Sequence, residues 1–151
     1  MSDNPVLIHA TAVAIGGRAV LLRGASGSGK SDLALRLIDA GARLVADDYS
    51  ELRREDDAIV VRAPASISGL IEARGIGILK VEPLAAAPLA LIADLVAAQH
   101  VERFPEPGSE TIFGLAIPVV AIAPFEASAP AKLRFVLAAM TGGGTGVATE
   151  R

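Results

Sequence analysis

Gly24-Ala25-Ser26-Gly27-Ser28-Gly29-Lys30-Ser31 fills every fixed position of the pattern G-x-x-x-x-G-K-[ST]. Glycines at this spacing let the backbone curl until successive N–H groups point inward at phosphate oxygens. A helix opening near Lys30 adds its positive N-terminal end. Lys30 then reaches the β and γ phosphates of a nucleoside triphosphate, and the Ser31 hydroxyl ligates Mg²⁺. The flanks agree with such a P-loop. Residues 19–23 form a short apolar run that reads as a strand entering the loop. Residues 30–40 follow helical spacing, with Leu33, Ala34, Leu37 and Ile38 on one face. Asp32 suits the start of that helix and stands four residues before Arg36, a favourable pairing, and Gly41 suits its end. The chain has only three lysines, Lys30, Lys80 and Lys132, and one of them occupies the required place.

Outward from the loop, strands dominate. Residues 6–15 read as a strand, and Gly16-Gly17 as the turn of a hairpin. Leu44-Val45-Ala46 reads as a short buried strand ending at Asp47-Asp48. A hairpin is expected next, over residues 49–54 and 58–62 with its turn at 55–57. Residues 68–73 fit one helical turn, 76–81 a strand, and 90–97 a strand or a helix. Residues 102–109 read as a loop with two prolines, 117–122 as a strand and 127–140 as a helix with Leu133, Val136, Leu137 and Met140 on one stripe. The expected domain spans residues 1–140. Residues 141–151 hold four glycines and little apolar content, so a disordered tail is expected there.

Composition narrows the function. The 151 residues suit one domain. They are 52% apolar but only 3% aromatic, so the core must be built from Ala, Val, Leu and Ile. A net charge of −3 and the scarcity of aromatics argue against nucleic acid as a partner. With no Cys there is neither a disulfide framework nor a thiolate metal site. The most apolar stretch, residues 84–98, is cut by Pro88 and Asp94 and falls short of the ~20 residues that span a bilayer. No membrane association is expected, and without a signal-peptide pattern at the start the expected location is the cytoplasm.

An apolar strand ending in Asp after the P-loop helix is where nucleotide-binding proteins keep a carboxylate on the metal side. Here there are two, Asp47 and Asp48. Consecutive strand residues face opposite ways, so both reach one site only if the strand stops before them. His9, Glu72, Arg74 and Arg103 do not stand out on periodicity: a His in an apolar strand, a surface pair and a loop arginine are ordinary features.

Read whole, the chain resembles the C-terminal catalytic domain of HPr kinase/phosphorylase, a bacterial enzyme family acting on a serine of the phosphocarrier protein HPr. The resemblance rests on Ile8-His9-Ala10 before the loop, the loop itself, Leu44-Val45-Ala46-Asp47-Asp48 after the helix, and Glu72-Ala73-Arg74-Gly75-Ile76-Gly77, which matches the family signature Glu-x-Arg-Gly-x-Gly. It covers residues 6 to about 125. It implies that residues 24–31 bind ATP and that Asp48 takes the proton of the HPr serine and returns it in the reverse reaction. His9 and Asp47 support the site, Ser31 and Glu72 hold Mg²⁺, and Arg74 contacts phosphate. Arg103 matches a catalytic arginine in a loop after a strand. The implied fold is α/β, a single P-loop domain with a mixed sheet, similar to phosphoenolpyruvate carboxykinase-like nucleotide domains. The implied assembly is a homo-oligomer, usually a hexamer.

Three features depart from the family pattern. Only eight residues precede His9, so the chain is expected to be a truncated form lacking the family's N-terminal domain. Ala25 replaces a usual Asp. Glu126, in Pro124-Phe125-Glu126-Ala127, replaces the positive charge of a Pro-Gly-Arg loop tied to dephosphorylation. The expected activity is therefore ATP-dependent phosphorylation of HPr, with weak reverse phosphorolysis. The alternatives are a P-loop kinase for a small metabolite and a catalytically silent nucleotide or phosphate sensor.

Overall fold

The computed structural model describes residues 4–140. The expected tail, 141–151, lies outside the described residues. Eleven strands and two α-helices follow one another as β1 (Val6–Ile8), β2 (Ala10–Ile15), β3 (Arg18–Arg23), α1 (Lys30–Asp39), β4 (Arg43–Ala46), β5 (Ser50–Glu55), β6 (Ala58–Arg62), β7 (Leu70–Ala73), β8 (Gly77–Lys80), β9 (Ala86–Leu95), β10 (Gly108–Ile112), β11 (Leu115–Ile122) and α2 (Ala129–Met140). This is the expected mixed α/β fold: β9 runs parallel to β3 and β11 and antiparallel to β6.

The strand path is β1-β5-β6-β9-β3-β2-β4, with β11 joined to β9 and β10 to β11. Residues 6–15 were expected as one strand. They bend at His9, so that β1 pairs with β5 while β2 pairs with β3 and β4. Because β1 runs straight into β2, the path returns on itself and the sheet curls around its own core. Strand alternation divides the apolar residues between two cores. Ala10, Ala12, Ala14, Ala19, Leu21, Leu52, Val61 and Ile92 fill the inside of the curl. Val13, Val20, Leu22, Leu91 and Ala93 face the helices, against Leu33 and Leu37 of α1 and Leu133 and Leu137 of α2. The small side chains suit the tight interior, which explains a core with so few aromatics.

Two bulges set which face later residues take. Ala19 pairs with Leu89 but Val20 with Leu91, leaving Ala90 as the extra residue in β9. Ala12 pairs with Ala46 but Val13 with Leu44, leaving Val45 extra in β4. Helix α1 ends as expected, with the N–H of Gly41 on Ile38 O at 3.0 Å and that of Ala42 on Leu37 O at 2.9 Å. Where β3 meets the loop, Arg23 donates to both carboxylate oxygens of Asp94 at 2.7 and 3.0 Å and to Glu110 at 2.9 Å. These bonds, Asp94 first, hold its pKa well above the ordinary value and fasten β3 to β9 and β10.

Three expectations need correction. Residues 68–73 are no helical turn: the turn lies earlier, as a 3₁₀ segment Ala65–Ile67 after Pro64, and β7 follows. Gly69 at φ +78° breaks helical continuation, and Ile71 and Ala73 are buried while Glu72 is exposed, the period of a strand. The expected strand at 90–97 begins at Ala86, ahead of Pro88. At Pro88 only β6 is alongside and β3 joins at Leu89, so the missing N–H interrupts no ladder on the second side. Residues 108–112 form β10, whose first two residues lie within the expected loop.

Leu37 is fully buried between the two helices and the sheet. Leu37→Ala is expected to cost about 2–5 kcal/mol in stability, read as a lowered midpoint in urea denaturation with an unchanged slope.

Candidate phosphate-binding and catalytic cleft

β3 delivers the chain into residues 24–29, and α1 begins at Lys30. Gly29 is the residue before the helix and holds a left-handed conformation, φ 101° and ψ 16°, that side chains disfavour. No side chain caps the first turn of α1. Its free N–H groups are therefore available to an anion, the arrangement that phosphate loops use. Lys30 is only 6% exposed. Its ammonium donates to Gly24 O at 2.8 Å and to Ala25 O at 3.1 Å, so it lies folded against its own loop.

Asp47 and Asp48 both lie beyond β4, which ends at Ala46. The condition for both to reach one site is met, and they do different things. Asp47 is 8% exposed and accepts three hydrogen bonds. Its Oδ1 takes the Ser31 hydroxyl at 2.6 Å and the Thr11 hydroxyl at 3.0 Å, and its Oδ2 takes the Glu72 backbone N–H at 3.0 Å. Thr11 Oγ1 in turn accepts the Asp48 N–H at 2.9 Å. One buried carboxylate thus locks together β2, the first turn of α1 and β7.

Asp48 turns outward. Its φ is 69°, and the N–H of Tyr49 closes on Asp47 O at 2.7 Å, a three-residue turn that is strained for a residue with a side chain. The strain aims its carboxylate, 57% exposed, into the cleft, where Oδ1 accepts His9 Nε2–H at 2.8 Å. The ring of His9 stacks on Tyr49 with centroids 5.1 Å apart. The bend between β1 and β2 is what brings His9 here.

The cleft has a volume of about 400 Å³. Lys30 and Ser31 line it with Asp48, with Glu72 from β7 and with Arg74 from the β7–β8 turn. Of the other residues singled out in the sequence, His9 and Asp47 do not line the cleft but are hydrogen-bonded to residues that do, Asp48 and Ser31. Arg103 is exposed in the segment before β10, its guanidinium 5.3 Å from the centre of the Phe104 ring, and does not line the cleft. Sequence reasoning missed Thr11, a hydroxyl at 0% exposure in an apolar strand, and Phe125, which lines the cleft beside Gly29. The only signal for Thr11 was its polarity among alanines.

The sequence profile of the HPr serine kinase C-terminal domain matches residues 3–123. The chain belongs to that family. Curated relatives include the HPr kinase/phosphorylases of Peptoclostridium acidaminophilum and Bacillus subtilis, each 51% identical over 78 residues, which is 51% of this chain and 25% of theirs. That of Listeria welshimeri is 48% identical over 82 residues, 53% of this chain and 26% of its own. The matched stretch thus spans about a quarter of the length of these relatives. Among solved structures, the Hpr(Ser) kinase/phosphatase of Coxiella burnetii superposes with a TM-score of 0.75 at 27% identity, covering 85% of this chain and 86% of that one. Among the described residues, no helix is long and apolar enough to cross a membrane.

Proposed function

We propose that this chain is an ATP-dependent serine kinase whose acceptor is HPr. The observation that carries the proposal is the convergence on one cleft of an uncapped phosphate loop with its lysine and an outward-turned Asp48 held by His9. Family membership supports it, and relatives of this family carry the name HPr kinase/phosphorylase.

Each residue has a role in this reading. The loop, residues 24–31, holds the phosphates of ATP through its N–H groups. Lys30 leaves the two loop carbonyls for the phosphates. Asp48 accepts the proton of the attacking serine hydroxyl as its oxygen bonds to the γ-phosphorus and the bond to the β-phosphate oxygen breaks, leaving ADP. His9, donating to one oxygen of Asp48, leaves the other facing the cleft. Arg74 adds positive charge opposite the loop. The role of Arg103 and the homo-oligomer rest on the resemblance alone, and the cytoplasmic location on the sequence pattern.

The residues fit Mg²⁺. Among the described residues no three acidic or histidine side chains cluster as a closed metal cage. Mg²⁺ at a nucleotide does not need one, because it keeps several waters and takes one or two protein oxygens with the phosphates. The Ser31 hydroxyl, oriented by Asp47, and the Glu72 carboxylate across the cleft supply hard oxygens of that kind. The ion would neutralise charge on the phosphates. Glu72→Gln keeps size and polarity but removes charge, so the Mg²⁺ affinity of the nucleotide-bound protein is expected to fall roughly tenfold. Titration of Mg²⁺ against a bound ATP analogue measures this, and an unchanged affinity returns Glu72 to the surface.

A kinase for a small metabolite would need a lid of basic residues. Among the described residues, Lys30 and Arg74 are the only Lys or Arg lining the cleft, which disfavours that reading. Incubation with labelled ATP and either HPr or a panel of phosphorylatable metabolites separates the two. Label on a metabolite and none on HPr would overturn the proposal. ATP binding without transfer to any acceptor would favour the silent sensor.

A further inference from the structure

We propose that Phe125 is the platform on which the nucleobase stacks, so that the cleft selects a nucleoside triphosphate over bare polyphosphate. The inference rests on the phosphate-loop reading above and adds the part of the ligand that the loop itself does not contact.

The chain has four Phe and one Tyr, and of these Phe125 alone lines the cleft. The residue is 69% exposed, an apolar side chain left in water. It is nonetheless held in place. Pro124 is buried, and Arg36 of α1 donates to the backbone oxygens of Pro124 and of Glu126, the latter at 3.2 Å. Asp32 fixes Arg36 from one side at 3.0 Å, and Lys132 fixes the Glu126 side chain at 3.0 Å. The ring is pressed against the last glycine of the loop: a Cβ on Gly29 would stand 2.9 Å from Phe125 Cζ and 3.0 Å from Cε1.

Position decides the occupant. Phosphates held by the loop and the first turn of α1 carry their nucleoside out over that turn, where Asp32, Leu35 and Phe125 line the cleft. A base has a π-face whatever its sequence of polar atoms, so a fixed aromatic ring suits it without further hydrogen bonds. Pro124, Phe125 and Glu126 lie just beyond the 3–123 stretch that matches the family.

The test compares MgATP with magnesium tripolyphosphate, which carries the phosphates without a base, on the unmodified protein, Phe125→Ala and Phe125→Trp. Phe125→Ala should weaken ATP roughly tenfold and leave tripolyphosphate within about twofold. Phe125→Trp should restore ATP affinity. Because the chain has no Trp, that variant also carries a single indole reporter. Its fluorescence should be quenched by ATP and not by tripolyphosphate. Equal weakening of both ligands by Phe125→Ala would mean that the ring only shapes the loop, and would overturn the inference. So would an unchanged ATP affinity, or equal quenching by both ligands. If the unmodified protein bound neither ligand, or if Lys30→Ala left both affinities intact, the phosphate-loop reading itself would fail, an outcome distinct from failure of the platform alone.

Discussion

Lys30→Ala is expected to reduce transfer from ATP about a thousandfold or more, at every Mg²⁺ concentration. Lys30 is the one cation inside the phosphate loop, and its ammonium is already buried beside the loop carbonyls. Removing a preorganised positive donor from a site where charge moves in the transition state costs roughly two to three decades or more in rate. Excess metal would not replace it, because a metal held by Ser31 and Glu72 would not supply that donor. Ser31→Ala should behave differently. Its hydroxyl bonds to Asp47 and, in the proposed reading, would act through Mg²⁺, so high Mg²⁺ should restore part of the activity. Transfer rates measured across a Mg²⁺ series for both variants, with circular dichroism to confirm folding, provide the check. Similar residual activity and similar rescue in the two would show that the loop is not where the phosphates bind.

Asp48→Asn should leave nucleotide affinity nearly unchanged and slow transfer by about two to four decades, the range for loss of a general base. Asparagine has nearly the same size and can still meet His9, so the change isolates proton acceptance. The same loss should hold in the reverse direction, since a group that takes the proton forward must return it. The reverse reaction should be slow even in the unmodified protein. It brings inorganic phosphate against a phosphoserine, and Glu126 stands at the segment where the family pattern has positive charge. Following phosphoserine-HPr with millimolar phosphate measures this. Rapid pyrophosphate release by the unmodified protein would refute the reading of that segment, and wild-type forward rates in Asp48→Asn would remove Asp48 from the chemistry.

The loop, α1 and the placement of both aspartates past a strand end were legible because local residues dictate them. Glycine spacing, helical periodicity and a short apolar run each act over a few residues. The turn at Gly16-Gly17, between β2 and β3, was legible for the same reason. What escaped depends on distant partners. The bulges at Ala90 and Val45 exist only because two strands pair out of step, and Pro88 is tolerated only because its second neighbour starts one residue later. β10 joins β11 through Phe113-Gly114, a turn with no strong sequence signature. At the site, Thr11 looked like a β-forming residue until the fold placed it between Asp47 and Asp48. Phe125 looked like part of a loop until Arg36 tied that loop to α1.

The proposed reaction moves a phosphoryl group from ATP, held in this cleft, to a serine of HPr. Its most direct test is incubation of the protein with HPr, Mg²⁺ and γ-labelled ATP, followed by peptide mapping of the labelled HPr, with Lys30→Ala as the control. One phosphorylated serine on HPr is expected, formed by the unmodified protein and absent with Lys30→Ala. Unlabelled HPr, label on another residue type, or equal labelling by the Lys30→Ala variant would contradict it.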